Sequence, residues 1–146
     1  MQNISLEIVT DIEQKREAMI QCDAAYTESI VARPDFESYL DKLHRFGTFL
    51  VAKDEENILG YAIMYANDID SKEAYLTLIC IKSEFQGQGV GSLMIKKCYE
   101  EALAVGMNTM RLAVLKVDQA QRGFYEKQGF SIVGESEDRY SMLKQL

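Results

Sequence analysis

The stretch Gln86-Gly87-Gln88-Gly89-Val90-Gly91-Ser92 constrains this chain more than any other. It stands between a β-rich apolar run, Tyr75 to Ile81, and a helical pattern from Val90 to Val105 that Gly106 ends. The first N–H groups of a helix have no intrahelical partner and point outward. The helix dipole adds partial positive charge at that end. Glycine removes the Cβ atom, so a phosphate can approach the backbone closely. The physical reading is a pyrophosphate cradle. The bland alternative is a glycine-rich turn that only joins strand to helix.

The other elements follow from periodicity. Ser5 to Val9 reads as a first strand. Thr10 or Asp11 caps a helix, with Glu13 or Gln14 three residues on. Its inward face carries Ile12, Ala18, Met19, Cys22 and Tyr26. Pro34 resets the chain, and Asp35 to Phe46 is a second helix that Gly47 stops. Thr48 to Lys53 and Ile58 to Tyr65 pair as a hairpin across a polar turn. Tyr75 to Ile81 is apolar on both faces and reads as a central strand covered on both sides. Thr109 to Leu115 is a strand, Gln119 to Lys127 a helix, and Phe130 to Gly134 and Arg139 to Leu143 are two short strands. The order β-α-α-β-β-β-α-β-α-β-β predicts an α/β fold with a mixed sheet.

A chain of 146 residues fits a single domain spanning 1–146. It buries enough surface to need no metal or disulfide staple. With 16 Lys and Arg against 23 Asp and Glu, the net charge is −7, which argues against nucleic acid or an anionic membrane as partner. Cys22, Cys80 and Cys98 are odd in number and show no metal-ligand spacing, so no metal site is expected. They read as small buried residues in a reducing, cytoplasmic setting. The N-terminus lacks the basic and apolar regions of a signal peptide. No apolar run approaches the length of a membrane span.

Three nucleotide motifs compete for the glycine turn. A Walker A loop needs Gly-Lys-Ser/Thr after its spacer, and no such run occurs. A dinucleotide fingerprint needs glycine at its sixth position, where counting from Gly87 gives Ser92. The pattern Gln/Arg-x-x-Gly-x-Gly/Ala is met by Gln86, Gly89 and Gly91. The run Phe124-Tyr125-Glu126-Lys127-Gln128-Gly129-Phe130 follows downstream. In both motifs, and in its element order across nearly the whole length, the chain resembles the GNAT family of N-acetyltransferases. It departs from the family's pattern at Asp118, where Asn is frequent, and at Gln121, where Ala is usual.

The resemblance implies a GNAT fold, acetyl-CoA as co-substrate, and a small-molecule amine as acceptor. It assigns Gln86, Gly87, Gln88, Gly89, Val90, Gly91 and Ser92 to the phosphates, and Ile79, Cys80 and Ile81 to main-chain pairing with the pantetheine arm. Asp118, Phe124 and Tyr125 flank that arm. An N–H near Ile79 would polarise the thioester carbonyl. Tyr125 is the expected proton donor to the leaving thiolate, its phenol being protonated at neutral pH. An alkylamine of pKa about 10 must lose a proton before attack. Candidate bases are Glu73 and Tyr75, with Glu28, Asp35 and Glu37 in the helical region that lines the acceptor site in relatives. The lone His44, at a helix end, reads as structural. Cys80 has no evident basic partner, so direct transfer is expected over an acyl-cysteine. Two other readings stay open: a binding module that holds acetyl-CoA without turnover, which Asp118 keeps alive, and transfer to a peptide or protein amine. A homodimer through the strands from Phe130 onward is also left open.

Overall fold

Side-chain caps fix where several elements begin. Asp11 accepts the Gln14 N–H at 3.0 Å and starts α1 (Ile12–Cys22). Asp118 accepts the Gln121 N–H at 3.0 Å and starts α4 (Gln119–Lys127). Asp23 accepts from Ser29 Oγ and from the N–H groups of Ile30 and Val31, which folds the segment between α1 and α2 (Phe36–Phe46). The computed structural model describes residues 3–55 and 57–146. The remaining elements are β1 (Ser5–Val9), β2 (Thr48–Lys53), β3 (Ile58–Tyr65), β4 (Glu73–Ile81), α3 (Val90–Ala104), β5 (Thr109–Leu115), β6 (Ser131–Glu135) and β7 (Arg139–Gln145). The order of helices and strands is the one the periodicity predicts. β4 begins two residues earlier than expected, and β7 runs two residues further. Tyr26 lies beyond α1, after a short 3-10 turn at Asp23–Ala25, rather than on its inward face.

The seven strands form one mixed sheet in the order β1-β2-β3-β4-β5-β7-β6. Helices cover both faces, as strands that are apolar on both sides require. α1 and α2 pack one face, burying Ala18, Met19, Cys22, Phe36, Leu40 and Leu43 against Phe49, Val51, Tyr61 and Ile63. α3 and α4 pack the other, where Val90, Met94, Ile95, Cys98 and Tyr125 meet Leu50, Leu59, Met64 and Leu112.

The middle of the sheet departs from regular pairing twice. In β4, Leu76 pairs with Met64 and Leu78 with Ile63, so Thr77 is an extra residue with no partner of its own. This bulge reverses the alternation of the strand. Ala74 and Leu76 face α3, but Leu78 and Cys80 face α1 and α2, leaving Ile79 and Ile81 on the α3 side. The second departure follows at once. β4 and β5, the one parallel pair among the described strands, are joined only at Glu73–Thr109, Ala74–Met110 and Tyr75–Arg111. Past Tyr75 they part. β4 stays paired with β3 as far as Ile81, and β5 stays paired with β7 as far as Leu115. A wedge-shaped gap therefore opens in the centre of the sheet, toward the end of β4 that carries the glycine loop.

Candidate active site

The loop at the open end of the gap has the build of an anion cradle. Gly87 and Gly89 have φ of +79° and +84°, a region that L side chains rarely adopt. A Cβ added at either would meet no atom within 4 Å, so the space over both is open. Gly89 occupies the N-cap of α3 and supplies no side chain to its first N–H groups. Among the described residues, the backbone N–H groups of Gly87 to Ser92 find no acceptor in the chain. The flanking glutamines brace the loop: Gln86 Nε2 donates to the Ile81 carbonyl at 3.0 Å, and Gln88 Nε2 to that of Glu84 at 3.3 Å. The surroundings of Gly91 are packed rather than open. This residue is buried, and a Cβ there would stand 3.1 Å from Ile81 Cδ1 and 3.3 Å from Phe124 Cζ. Its small size lets α3, β4 and α4 meet beneath the loop. Val90 is buried under the same turn, and Ser92 Oγ accepts from Gln128 Nε2 at 3.2 Å. The loop, the end of β4 and the α4 ring at Phe124 thus form one contiguous structure.

Tyr125 follows Phe124 and is 3% exposed. Its ring lies edge-on to Phe124 and to Phe130, with centroids 5.4 and 5.7 Å apart. Its Oη accepts a hydrogen bond from Gln121 Nε2 at 3.5 Å. Burial pushes the phenol up from its ordinary value, and the nearby Asp118 carboxylate pushes the same way, against the opposing effect of Gln121. The group stays protonated through the neutral range. Asp118 is turned into its own helix as the α4 cap.

Glu73 and Tyr75 sit at the closed end of the gap. Glu73 makes a bidentate pair with Arg111, at 3.0 Å to Nε and 3.3 Å to Nη2, and Arg111 Nη1 donates to Ser141 Oγ at 2.9 Å. The carboxylate clamps β4 to β5 and β7 where they are still joined. Tyr75 is exposed. Of the carboxylates in the α1–α2 region, Asp35 is paired with Arg33 and Glu37 with Arg16, while Glu28 is exposed. His44 Nδ1 lies 3.0 Å from the buried Lys15 ammonium, a structural contact between α1 and α2.

Sequence patterning missed the phenols on the α1–α2 face of β4. Tyr26 and Tyr61 share a hydrogen bond of 2.7 Å. Tyr39 is held between Arg33, whose guanidinium stands 5.0 Å over its ring, and the Thr77 side chain. The aromatic residues are scattered over the sequence, and only the α1–α2 packing brings them together. Cys80 Sγ donates to the Cys22 carbonyl at 3.4 Å, on the face away from α3. Its other polar neighbours include the Cys22 thiol, Tyr26, Tyr61 and Asp23, none of them a basic side chain.

A sheet parted beside a glycine-lined helix start defines an α/β protein whose geometry suits an extended, phosphate-bearing ligand. The sequence profile of the Acetyltransferase (GNAT) family matches residues 13–130. The chain belongs to that family. It is 35% identical over 82 residues to thialysine N-epsilon-acetyltransferase of Bos taurus, a match covering 55% of this chain and 48% of that protein. The chain spans about half the length of the curated relatives it matches. Its fold matches that of Ard1 from Thermoplasma volcanium with a TM-score of 0.81, at 19% identity and over 98% of this chain and 97% of that one. It also matches the PaiA N-acetyltransferase of Thermoplasma acidophilum in complex with coenzyme A, with a TM-score of 0.76 at 18% identity over 99% of both chains. Among the described residues no helix is long and apolar enough to cross a membrane.

Proposed function

We propose that this chain is an N-acetyltransferase that transfers the acetyl group of acetyl-CoA directly to a primary amine of a small molecule. The observation that carries the reading is the open, left-handed Gly87–Gly89 turn at the mouth of the β4–β5 gap. Free N–H groups of the loop and of the first turn of α3 are suited to a pyrophosphate. The β4 edge from Leu76 to Ile81, which β5 has left, offers main-chain groups to an amide-bearing arm. Acetyl-CoA, when bound, supplies the activated acyl group as a thioester. The Tyr125 phenol, kept protonated by burial, gives its Oη proton to the departing sulfur as the C–S bond breaks. The amine loses one proton to water before attack, and the proton its nitrogen sheds on forming the C–N bond passes through water to restore the phenol. Glu73, neutralised by Arg111, holds the closed end of the gap together. The amine approaches from the side lined by Tyr26, Tyr39 and Thr77.

Relatives named for acetylation of thialysine support a small amine as acceptor. The cap made by Asp118 favours turnover over a silent binding module, because it explains that carboxylate without placing it against the co-substrate. Three buried free thiols accord with a reducing, cytoplasmic setting. A homodimer would form along the β6 edge, where Ile132 and Val133 are exposed.

A thermal-shift titration tests the reading. At 100 times its dissociation constant a ligand adds about 2.7 kcal/mol, a rise of about 5–10 °C for a domain of this size. Acetyl-CoA should produce that rise, and ATP and NAD should not. Turnover with a panel of small amines should then fall at least tenfold in Tyr125→Phe while acetyl-CoA affinity holds. Equal rises with all three nucleotides, or no turnover with any amine, would defeat the proposal.

A further inference from the structure

We infer that Gln121 is a positioning residue for proton donation by Tyr125, an inference that rests on the acetyltransferase reading. The two side chains are four residues apart on α4 and therefore neighbours on one helix face. Asp118 fixes the start of that face by capping the Gln121 N–H at 3.0 Å. From there Gln121 Nε2 reaches Tyr125 Oη at 3.5 Å.

The direction of that hydrogen bond matters. A phenol has one proton to give and lone pairs that accept. Because Oη accepts from the amide, its own proton points elsewhere. Among the described residues nothing in the chain takes it. Tyr125 as a residue is 3% exposed, and its phenol proton, which has no acceptor among the described residues, is free to be given to a bound group. The amide does two things for it. It excludes the orientation in which the phenol proton faces α4, and it stabilises the negative charge that Oη gains as the proton leaves. The second effect offsets part of the burden that burial and Asp118 place on the phenol.

Two measurements test this, one independent of turnover. The first is the titration of the CoA thiol in the binary complex, followed by thiolate absorbance. A donated phenol proton stabilises the thiolate, so bound CoA should ionise at a lower pH than free CoA. Gln121→Met, which keeps the length and loses the donor, should move that midpoint back up by about 0.5–1. The second is a double-mutant cycle on kcat. Gln121→Met should lower kcat about three- to tenfold at unchanged acetyl-CoA affinity, and should have no effect in a Tyr125→Phe background. Gln121→Glu, which can only accept, should be slower than Gln121→Met. Gln121→His, which keeps a donor, should recover part of the rate.

Full activity in Gln121→Glu would mean that the amide accepts the phenol proton instead, and would overturn the inference. An equal loss from Gln121→Met in both backgrounds would reduce Gln121 to packing. If Tyr125→Phe itself turns over normally, the reading of Tyr125 fails first. A slow Tyr125→Phe beside a normal Gln121→Met removes only the role given to Gln121.

Discussion

Leu76 and Leu78 stand two residues apart on one strand yet face opposite sides of the sheet. Leu76 packs toward α3 and Leu78 toward α1 and α2. The bulge at Thr77 causes the reversal, and it lies beside the last residues that join β4 to β5. A bulge bends and twists its strand, which here carries the end of β4 away from β5. Deleting Thr77 makes a sharp test. Leu78, Ile79, Cys80 and Ile81 would keep their present faces in a regular strand, so the core should survive. The gap should narrow. The expected result is a melting temperature within a few degrees of the parent and acetyl-CoA affinity at least tenfold weaker. Unchanged affinity by calorimetry would detach the gap from the bulge.

Two glycines of the same motif should fail in opposite ways. Gly89→Val places a side chain on a left-handed residue over open space. Its strain is about 1–2 kcal/mol, and its main effect should be on co-substrate binding. Gly91→Val drives methyl groups into Ile81 and Phe124. Overpacking of that kind costs about 1–3 kcal/mol, so denaturation midpoints should drop more than with Gly89→Val. Urea titrations of both variants, run beside acetyl-CoA binding, separate the two roles. The reverse order would mean that the loop, not the packing beneath it, is the structural element.

The same distinction shows what the sequence made legible. Gly47, Gly106 and the polar turn after Lys53 marked where elements stop, so the ranges of β2, β3, β5 and α4 match their expected ones. The glycine loop was readable because it has a physical reason to be glycine. Thr77 gave no signal, since a continuous apolar strand hides a change of face. Lys15 gave none either: it is 3% exposed against His44, a partner 29 positions away in the chain. The Tyr26–Tyr61 and Gln121–Tyr125 pairs depend on side-chain direction, which composition and period do not carry.

Lys15 gives a pH prediction. Burial holds its ammonium below the ordinary value of 10.5, with Asp11 pulling the other way. In the unfolded chain the group titrates near 10.5. Between the lowered folded value and 10.5 the unfolded state binds more protons, so stability rises with pH across that window. Below it, both states are charged and the full burden of burial remains. Lys15→Met should therefore be equal to or about 1 kcal/mol more stable than the parent at pH 7. That difference should shrink as pH approaches 10.5. Chemical denaturation of both proteins at pH 7, 9 and 10.5 checks the trend, and a gap that widens with pH contradicts it.

Glu73 offers the last test, because two roles compete for one carboxylate. If it holds the sheet, its loss should be felt in stability. Its side chain and that of Arg111 are 32% and 34% exposed, so solvent screens the pair. The bidentate geometry still places it at the upper end for such pairs, about 1 kcal/mol. Glu73→Gln keeps the shape and one acceptor for Arg111 while removing the charge and any capacity as a base. The clamp role predicts a loss of about 1 kcal/mol with kcat within about threefold of the parent, and a flat ratio of variant to parent kcat from pH 6 to 9. A base at Glu73 predicts at least a hundredfold loss in kcat with stability nearly intact. Because the carboxylate is bound on both oxygens by Arg111, the first outcome is the expected one.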